Sequence, residues 1–315
     1  MPTHRVTLLG GSGFVGSQLT YRLAETFDEV VVLTRRASRA RKLRTLTNVR
    51  IVEVNVHDAD ALTKALSGTD VVINLVGILN EGGNKDESSF RNAHLGLTEK
   101  VLAACKANDI KRYLHMSALK ADKDEGSSEY LRTKGMSEDL VKSDSSSLNW
   151  TIFQPSIIFG KHDAFFNRFA GLLKLLPVFP LAVPEAKMAP VYVGDVCDVM
   201  IGSIDDHGAI GSTIELCGPQ DYTLKELVEY TAITAGLSRK VIGLPDWAAR
   251  FQARVMEFVP GKPFTRDNYN SLQTPNVGSE GVDRQPTSLD AIVPQYIGTA
   301  DWAGRLQKRR AEARR

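Results

Sequence analysis

VTLLGGSGFVG, residues 6 to 16, decides the fold. A β-branched apolar run ends at Gly10, Gly13 and Gly16 in G-x-x-G-x-x-G spacing. It opens directly onto a helical stretch, 14 to 26, with Val15, Leu19 and Leu23 on one face. Glycine permits the tight turn and lets backbone approach a pyrophosphate, whose charge then meets the N–H groups of a helix N-terminus. Gly10, Gly11, Ser12, Gly13, Phe14, Val15 and Gly16 together are the expected phosphate cradle of a dinucleotide.

Downstream, short apolar runs recur at 30–34 (VVVLT), 49–54 (VRIVEV), 70–77 (DVVINLVG), 111–117 (KRYLHMS) and 150–156 (WTIFQPS). Amphipathic stretches separate them, such as 95–107 with Leu97, Val101 and Cys105 on one stripe. Nearly continuous apolar strands alternating with helices predict an α/β fold: an open, doubly wound parallel sheet of Rossmann type with a smaller C-terminal substrate lobe. After about residue 160 the alternation stops at Pro177, Pro180, Pro184 and Pro190, then PVYVGDVCDVMIGSI and TIELCG resume it. The expected nucleotide domain is 1–160 plus about 190–218, with that second stretch returning to the main sheet. The lobe for substrate or partner is about 161–189 plus 219–315.

At the end of the second strand, where a NAD-specific site places an acid for the ribose 2′-hydroxyl, the chain has Thr34, Arg35 and Arg36. A guanidinium clamps a 2′-phosphate that an acid would repel, so NADP(H) is favoured over NAD(H). The bland alternative is a solvated basic loop, since Arg39, Arg41 and Lys42 continue the run. Asp58, after the third strand, suits the adenine amino group. Leu75, Val76 and Gly77, at the end of the fourth, should pass alongside the cofactor, with Gly77 allowing close approach.

Ser117 ends the fifth strand in HMSAL, thirteen residues before Tyr130, and Lys134 follows Tyr130 by one helical turn. A phenol with a pKa near 10 is a poor acid–base group at neutral pH, and a neighbouring ammonium stabilises its phenolate. Ser117, Tyr130 and Lys134 are the candidate catalytic residues, Ser117 orienting the substrate oxygen. The bland reading is an ordinary surface helix that happens to spell Y-x-x-x-K.

Composition excludes several classes. Hydrophobic content of 43%, charge of 24% and a net +2 describe an ordinary globular chain without a field for nucleic acid. Cys105, Cys197 and Cys217 are too few and scattered for a disulfide frame or metal site, and no histidine has ligand spacing. MPTHRVTLLGG leaves no room for a signal or transit segment before the glycine turn, so a cytoplasmic chain is expected. FAGLLKLLPVFPLAV, 169–183, is interrupted by Lys174 and two prolines and is too short to span a bilayer. The 305–315 tail, RLQKRRAEARR, reads as a solvated terminus or as a contact to a partner or lipid headgroups.

GGSGFVG, MSAL, YLRTK and FQPSIIFG together resemble an extended short-chain dehydrogenase/reductase of the epimerase/dehydratase superfamily. DAFFNRFAGLL, PVYVGDV and the 244–272 stretch resemble its atypical branch, which includes the NADPH-binding accessory subunit of respiratory complex I and fungal ubiquinone-synthesis proteins. The resemblance covers nearly the whole chain. It implies pyrophosphate at Gly10, Gly13 and Gly16, the 2′-phosphate at Arg35 and Arg36, and Tyr130 as acid–base. It also implies Lys134 on the nicotinamide ribose and Pro155 and Ser156 beside the nicotinamide, with Met116, Gln154 and Ile157 adjoining. Extended enzymes carry a Ser/Thr pair at the fifth strand; here Met116 and Ala118 flank one serine.

Two stretches bear on what is bound. Phe165, Phe166, Phe169, Leu172, Leu173 and Leu176 read as core or as the wall of a lipophilic pocket. Trp247, Phe251, Val255 and Phe258 form a stripe in 246–258 that reads as core or as a face for a protein partner or membrane interface, the latter peripheral to the inner membrane face. The leading expectation is an NADPH-dependent reductase or dehydrogenase of a hydrophobic carbonyl or quinone-related compound. The rival is a non-catalytic, cofactor-stabilised accessory or assembly protein of a respiratory or ubiquinone-synthesis complex. A sugar-nucleotide epimerase or dehydratase comes third.

Overall fold

The computed structural model describes residues 5–81, 89–143, 148–259 and 262–298; the basic tail lies outside them. The chain begins β1 (Arg5–Leu9), α1 (Phe14–Thr26), β2 (Glu29–Thr34), β3 (Val49–Glu53), α2 (Ala59–Ala65), β4 (Val71–Asn74), α3 (Leu97–Ala107), β5 (Arg112–Met116), α4 (Glu129–Ser143) and β6 (Asn149–Pro155). It continues with β7 (Ile158–Phe159), α5 (Phe165–Leu175), β8 (Val178–Leu181), β9 (Lys187–Met188), β10 (Val191–Tyr192), α6 (Val193–Asp205) and β11 (Ser212–Leu216). The last described elements are β12 (Tyr222–Thr223), α7 (Leu224–Thr234), β13 (Lys240–Gly243), α8 (Asp246–Met256), α9 (Arg266–Ser271), α10 (Leu289–Ile292) and α11 (Pro294–Ile297). Two compact units result: Met1–Pro155 with Val193–Leu216, and Ser156–Tyr192 with Cys217–Arg315.

The first unit is built on a seven-stranded sheet in the order β11-β6-β5-β4-β1-β2-β3, every pair parallel. β1 lies between β2 and β4, with Leu9 paired to Leu33 on one side and Asn74 on the other. Helices cover both faces, which is why β2, β4 and β5 are buried almost throughout. One apolar cluster joins Leu9, Val31, Val72, Leu97, Val101, Tyr113 and Ile152 beneath α2, α3 and α4. α1 buries Leu19 and Leu23, each contributing about 2 kcal/mol of transfer free energy, and Arg22 ties it to α6 through the Gly194 carbonyl at 3.1 Å.

Arg112 fastens α6 and β6 to β5. Buried, it donates to the carbonyl of Ile204 at 3.0 Å, that of Ser203, the carbonyl of Asn149 at 2.8 Å and the Thr151 hydroxyl at 2.8 Å. Two of these acceptors are otherwise orphaned carbonyls in the last turn of α6. Burial lowers its pKa to about 10, still protonated at neutral pH.

The second unit has its own core, with Phe159, Phe166, Leu173, Phe179, Leu227 and Val228 between α5, α7 and short strand pairs. Of the aromatic run in α5, Phe166 and Leu173 are buried there and Phe165, Phe169 and Leu172 pack against it. Val191–Tyr192 pairs with Ile158–Phe159 inside this unit and does not return to the main sheet as expected. Pro190 lacks a ladder donor and α6 begins at Val193, so only two residues remain to pair. Among the described residues no helix is long and apolar enough to cross a membrane.

Arg112→Met should cost about 3 kcal/mol, because several buried acceptors lose their donor. Chemical denaturation checks this, and a loss within a few tenths would show that the clamp is not needed.

Candidate cofactor and proton-transfer site

The glycine turn is set by contact distances. Gly10 has φ +81°, and a Cβ there would lie 3.2 Å from the Leu75 carbonyl carbon. A Cβ on Gly16 would fall 2.3 Å from the Gly10 oxygen and 2.6 Å from Gly11 Cα, so α1 packs on the turn only with glycine at 16. Gly13 is the N-cap of α1, with no side-chain cap and no acid in the first turn. The opening N–H groups, at Phe14, Val15 and Gly16, therefore face out with the positive end of the helix dipole, the arrangement a pyrophosphate needs.

Ser12 and Thr34 hydroxyls meet at 3.2 Å, and Thr34 Oγ1 accepts the Arg36 N–H at 3.3 Å, joining the turn to the end of β2. Arg35 and Arg36 are exposed and have no acidic partner among the described residues. The acid closest by register, Glu53, accepts the Ala37 N–H at 2.7 Å. Asp58 caps α2 through the Ala61 N–H at 3.1 Å.

A second cluster forms where β4 and β5 end against α4. Lys134 is buried and donates to the Met116 carbonyl at 2.8 Å; burial lowers its pKa to about 8. Its Nζ is 3.3 Å from where a Cβ on Gly77 would stand, so glycine there makes room for the ammonium. The Ser117 hydroxyl, on a residue 3% exposed, has no hydrogen-bond partner among the described residues. Tyr130 is half-buried, its ring edge-on to His94 at 5.5 Å and to Phe90 at 6.0 Å.

Two histidines complete the cluster. His94, in a π-helical turn (Asn92–Gly96), accepts the Ile78 N–H at Nε2, 3.2 Å. Nδ1 therefore carries the proton and donates to Thr133 Oγ1 at 2.9 Å, and Thr133 donates onward to the carbonyl of Glu129 or Tyr130. His94 thus couples the segment after β4 to the helix that carries Tyr130 and Lys134. Desolvation first, then Lys134, holds its pKa at about 2. His115 lies two residues before Ser117 in the strand. Val76 N–H donates to Asn74 Oδ1, Asn74 Nδ2 to Tyr113 Oη, and Tyr113 to His115 Nδ1, over 3.1, 3.2 and 2.9 Å. His115 is held neutral, its pKa about 3, with Nε2 buried and unpartnered among the described residues.

Of the expected site residues, the structure brings Leu75 and Val76 against Gly10, Gly77 against Lys134, and Met116 against Lys134. At the end of β6, Gln154 donates to Glu138 at 2.7 Å and the Pro155 carbonyl accepts the Leu119 N–H at 3.0 Å. Ser156 and Ile157 belong to the second unit, where the Ser156 hydroxyl bonds the Asn276 carbonyl at 3.0 Å and Ile157 accepts from Val191 at 2.9 Å. Sequence reasoning missed Asn74, His94, Tyr113, His115 and Thr133. Two signals were present: His94 sits on the same stripe as Leu97 and Val101, and His115 shares the strand face of Ser117.

Residues 10–164 match the NAD(P)H-binding family. Solved structures with this fold include DesIV, a dTDP-glucose 4,6-dehydratase of Streptomyces venezuelae (TM-score 0.69, 18% identity, 93% of this chain and 95% of that one). Pal of Bacillus thuringiensis is another (TM-score 0.69, 17% identity, 96% of this chain and 99% of that one). The first unit is therefore similar to NAD(P)H-binding domains, and its fold is that of these solved structures. Among sequence relatives, the mouse protein named NADH dehydrogenase [ubiquinone] 1 alpha subcomplex subunit 9, mitochondrial, is 29% identical over 90% of this chain and 77% of its own. A Stigmatella aurantiaca 4-hydroxy-2-methyl-3-oxo-4-farnesyl-3,4-dihydroquinoline-1-oxide ketoreductase is 24% identical over 80% of each.

The neutral histidines give a pH dependence. Their folded pKa values lie below the ordinary 6.5, so the unfolded chain binds more protons as pH falls. Their stabilisation is complete above pH 6.5 and is lost progressively as pH falls towards about 3 for His115 and about 2 for His94, by up to about 1.4 kcal/mol per pH unit per histidine. Unfolding free energy should fall between pH 6.5 and 5, with a shallower slope in His115→Leu; equal slopes would contradict a neutral buried His115.

Proposed function

We propose that the chain is an NADP(H)-dependent oxidoreductase acting on a lipophilic carbonyl or quinone-related compound. The observation that carries this is the Ser117 hydroxyl: buried, without a partner among the described residues, and adjoining the carbonyl that holds the Lys134 ammonium. Buried hydroxyls are nearly always hydrogen-bonded, so one left over at the carboxyl edge of a nucleotide-binding sheet suits a ligand oxygen. The groups present also fit the cofactor. The glycine cradle and uncapped α1 receive pyrophosphate, and Arg35 and Arg36, unopposed by acid, receive the 2′-phosphate.

A bound nicotinamide supplies a hydride to carbon. Tyr130 donates its proton to the carbonyl oxygen, Ser117 Oγ donates a hydrogen bond to the same oxygen, and the product is the hydroxyl compound. Lys134 stabilises the phenolate left on Tyr130, and the neutral imidazoles of His94 and His115 add no competing positive charge. With its own pKa near 8, Lys134 remains largely protonated at neutral pH. The name of the Stigmatella relative, a ketoreductase of a farnesylated 3-oxo compound, supports the substrate class.

A second reading is favoured by the mouse relative, named as a subunit of an NADH dehydrogenase: a bound cofactor that stabilises an accessory protein and does not turn over. One experiment separates them. Nucleotide released from the purified protein is identified by mass spectrometry, and nicotinamide absorbance is followed with quinones and prenylated cyclic ketones. The enzyme reading expects oxidation that Tyr130→Phe lowers at least about a hundredfold while NADPH binding stays within about twofold. Retained NADPH that no compound oxidises would favour the accessory role. Arg35→Ser/Arg36→Ser should weaken NADPH at least about tenfold and leave NADH nearly unchanged; equal losses would reject the 2′-phosphate assignment.

A further inference from the structure

α8 carries its amphipathicity inside out. Its buried side chains are Ala249 and Ala253, packed with Ala182 and Tyr269. Trp247, Phe251 and Phe258 are 74%, 66% and 84% exposed, with Val255 and Val259 also in solvent. At about 100° per residue, Trp247, Phe251 and Val255 fall within about 80° of one another, opposite the alanines.

The exposed apolar surface extends beyond the helix. Gln252 donates to the Pro180 carbonyl at 3.4 Å, placing α8 beside β8. In the β8–β13 pair, Val178 faces Lys240 and Pro180 faces Ile242, and both Val178 and Ile242 are exposed, as are Leu175 and Leu176 just before β8.

The charges around this surface have one sign to spare. Asp246 is held by Arg250 at 2.8 Å and by Tyr269, and Glu257 by Arg266 at 3.1 Å. Lys174, Lys240 and Arg254 are exposed with no acidic partner among the described residues. Projecting aromatics rimmed by unpaired cations complement the interface of an anionic bilayer, where apolar side chains enter the headgroup boundary and cations meet lipid phosphates. The helix, 11 residues and about 17 Å long, lies on such a surface and cannot cross it.

We propose that this face of the second unit docks on anionic phospholipid membrane, with α8 in the interface plane. The assignment is independent of whether the cofactor turns over. It is tested with the full chain, by co-sedimentation with phosphatidylglycerol-containing vesicles and with pure phosphatidylcholine vesicles, and by tryptophan emission. Partition into the anionic vesicles at low salt is expected, with a blue shift absent in Trp247→Ser. Phe251→Ser/Phe258→Ser and, separately, Lys174→Glu/Lys240→Glu/Arg254→Glu should each weaken partition at least about tenfold. These side chains are exposed, so unchanged melting temperatures confirm folded variants. No partition into anionic vesicles, or partition that survives both sets of substitutions, would overturn the proposal. So would a dimer in sedimentation equilibrium that Phe251→Ser/Phe258→Ser dissolves, because the face would then seat a second copy.

Discussion

Everything in the first unit is registered to the approach of Gly16 to the Gly10 carbonyl, a gap that no Cβ could enter. That contact lets α1 begin directly above the end of β1, at the centre of the sheet between β2 and β4. Gly10 in turn backs onto Leu75 and Val76, so the exit of β4 is fixed against the same turn. From there Asn74, Tyr113 and His115 carry the registration into β5 by three hydrogen bonds, ending two residues from Ser117. The glycine turn and the end of β5 are thus positioned by one continuous set of contacts, in keeping with sites supported by a rigid scaffold.

The cluster at the end of β5 is poor economy for stability alone. A lysine is buried with its pKa lowered, two imidazoles are held neutral, and a hydroxyl and a ring nitrogen have no partner among the described residues. Replacing such groups with apolar ones is often neutral or stabilising, so stability alone does not explain a cluster of this kind. The arrangement has a consistent electrostatic sense. Suppressing protonation at His94 and His115 leaves the ammonium as their cationic neighbour, which favours negative charge on a group brought beside it.

The sheet and the glycine turn were legible because their signals are local: β-branched runs of five or so residues and a glycine spacing whose steric reason lies within one turn. Ser117, Tyr130 and Lys134 were legible as types at a spacing. Lys134's acceptor was not, because a backbone carbonyl leaves no mark in sequence. His94 was hidden differently. It shares the stripe of Leu97 and Val101, which reads as core, and its partners, Ile78 and Thr133, lie far along the chain in either direction. The strand at 191–192 was visible, but its partner was not, since a two-residue strand has no pattern with which to choose a neighbour.

The stripe in α8 shows the limit of periodicity most directly. A 3.6-residue repeat says that Trp247, Phe251, Val255 and Phe258 share a side; it carries no sign for in or out. The sign comes from the opposite face, where Ala249 and Ala253 are small enough to let the helix lie close to Ala182 and Tyr269. Once that contact forms, the aromatics have nowhere to go but outward, although burying each would contribute about 2 kcal/mol. That unrealised burial is the driving force available to whatever surface covers them.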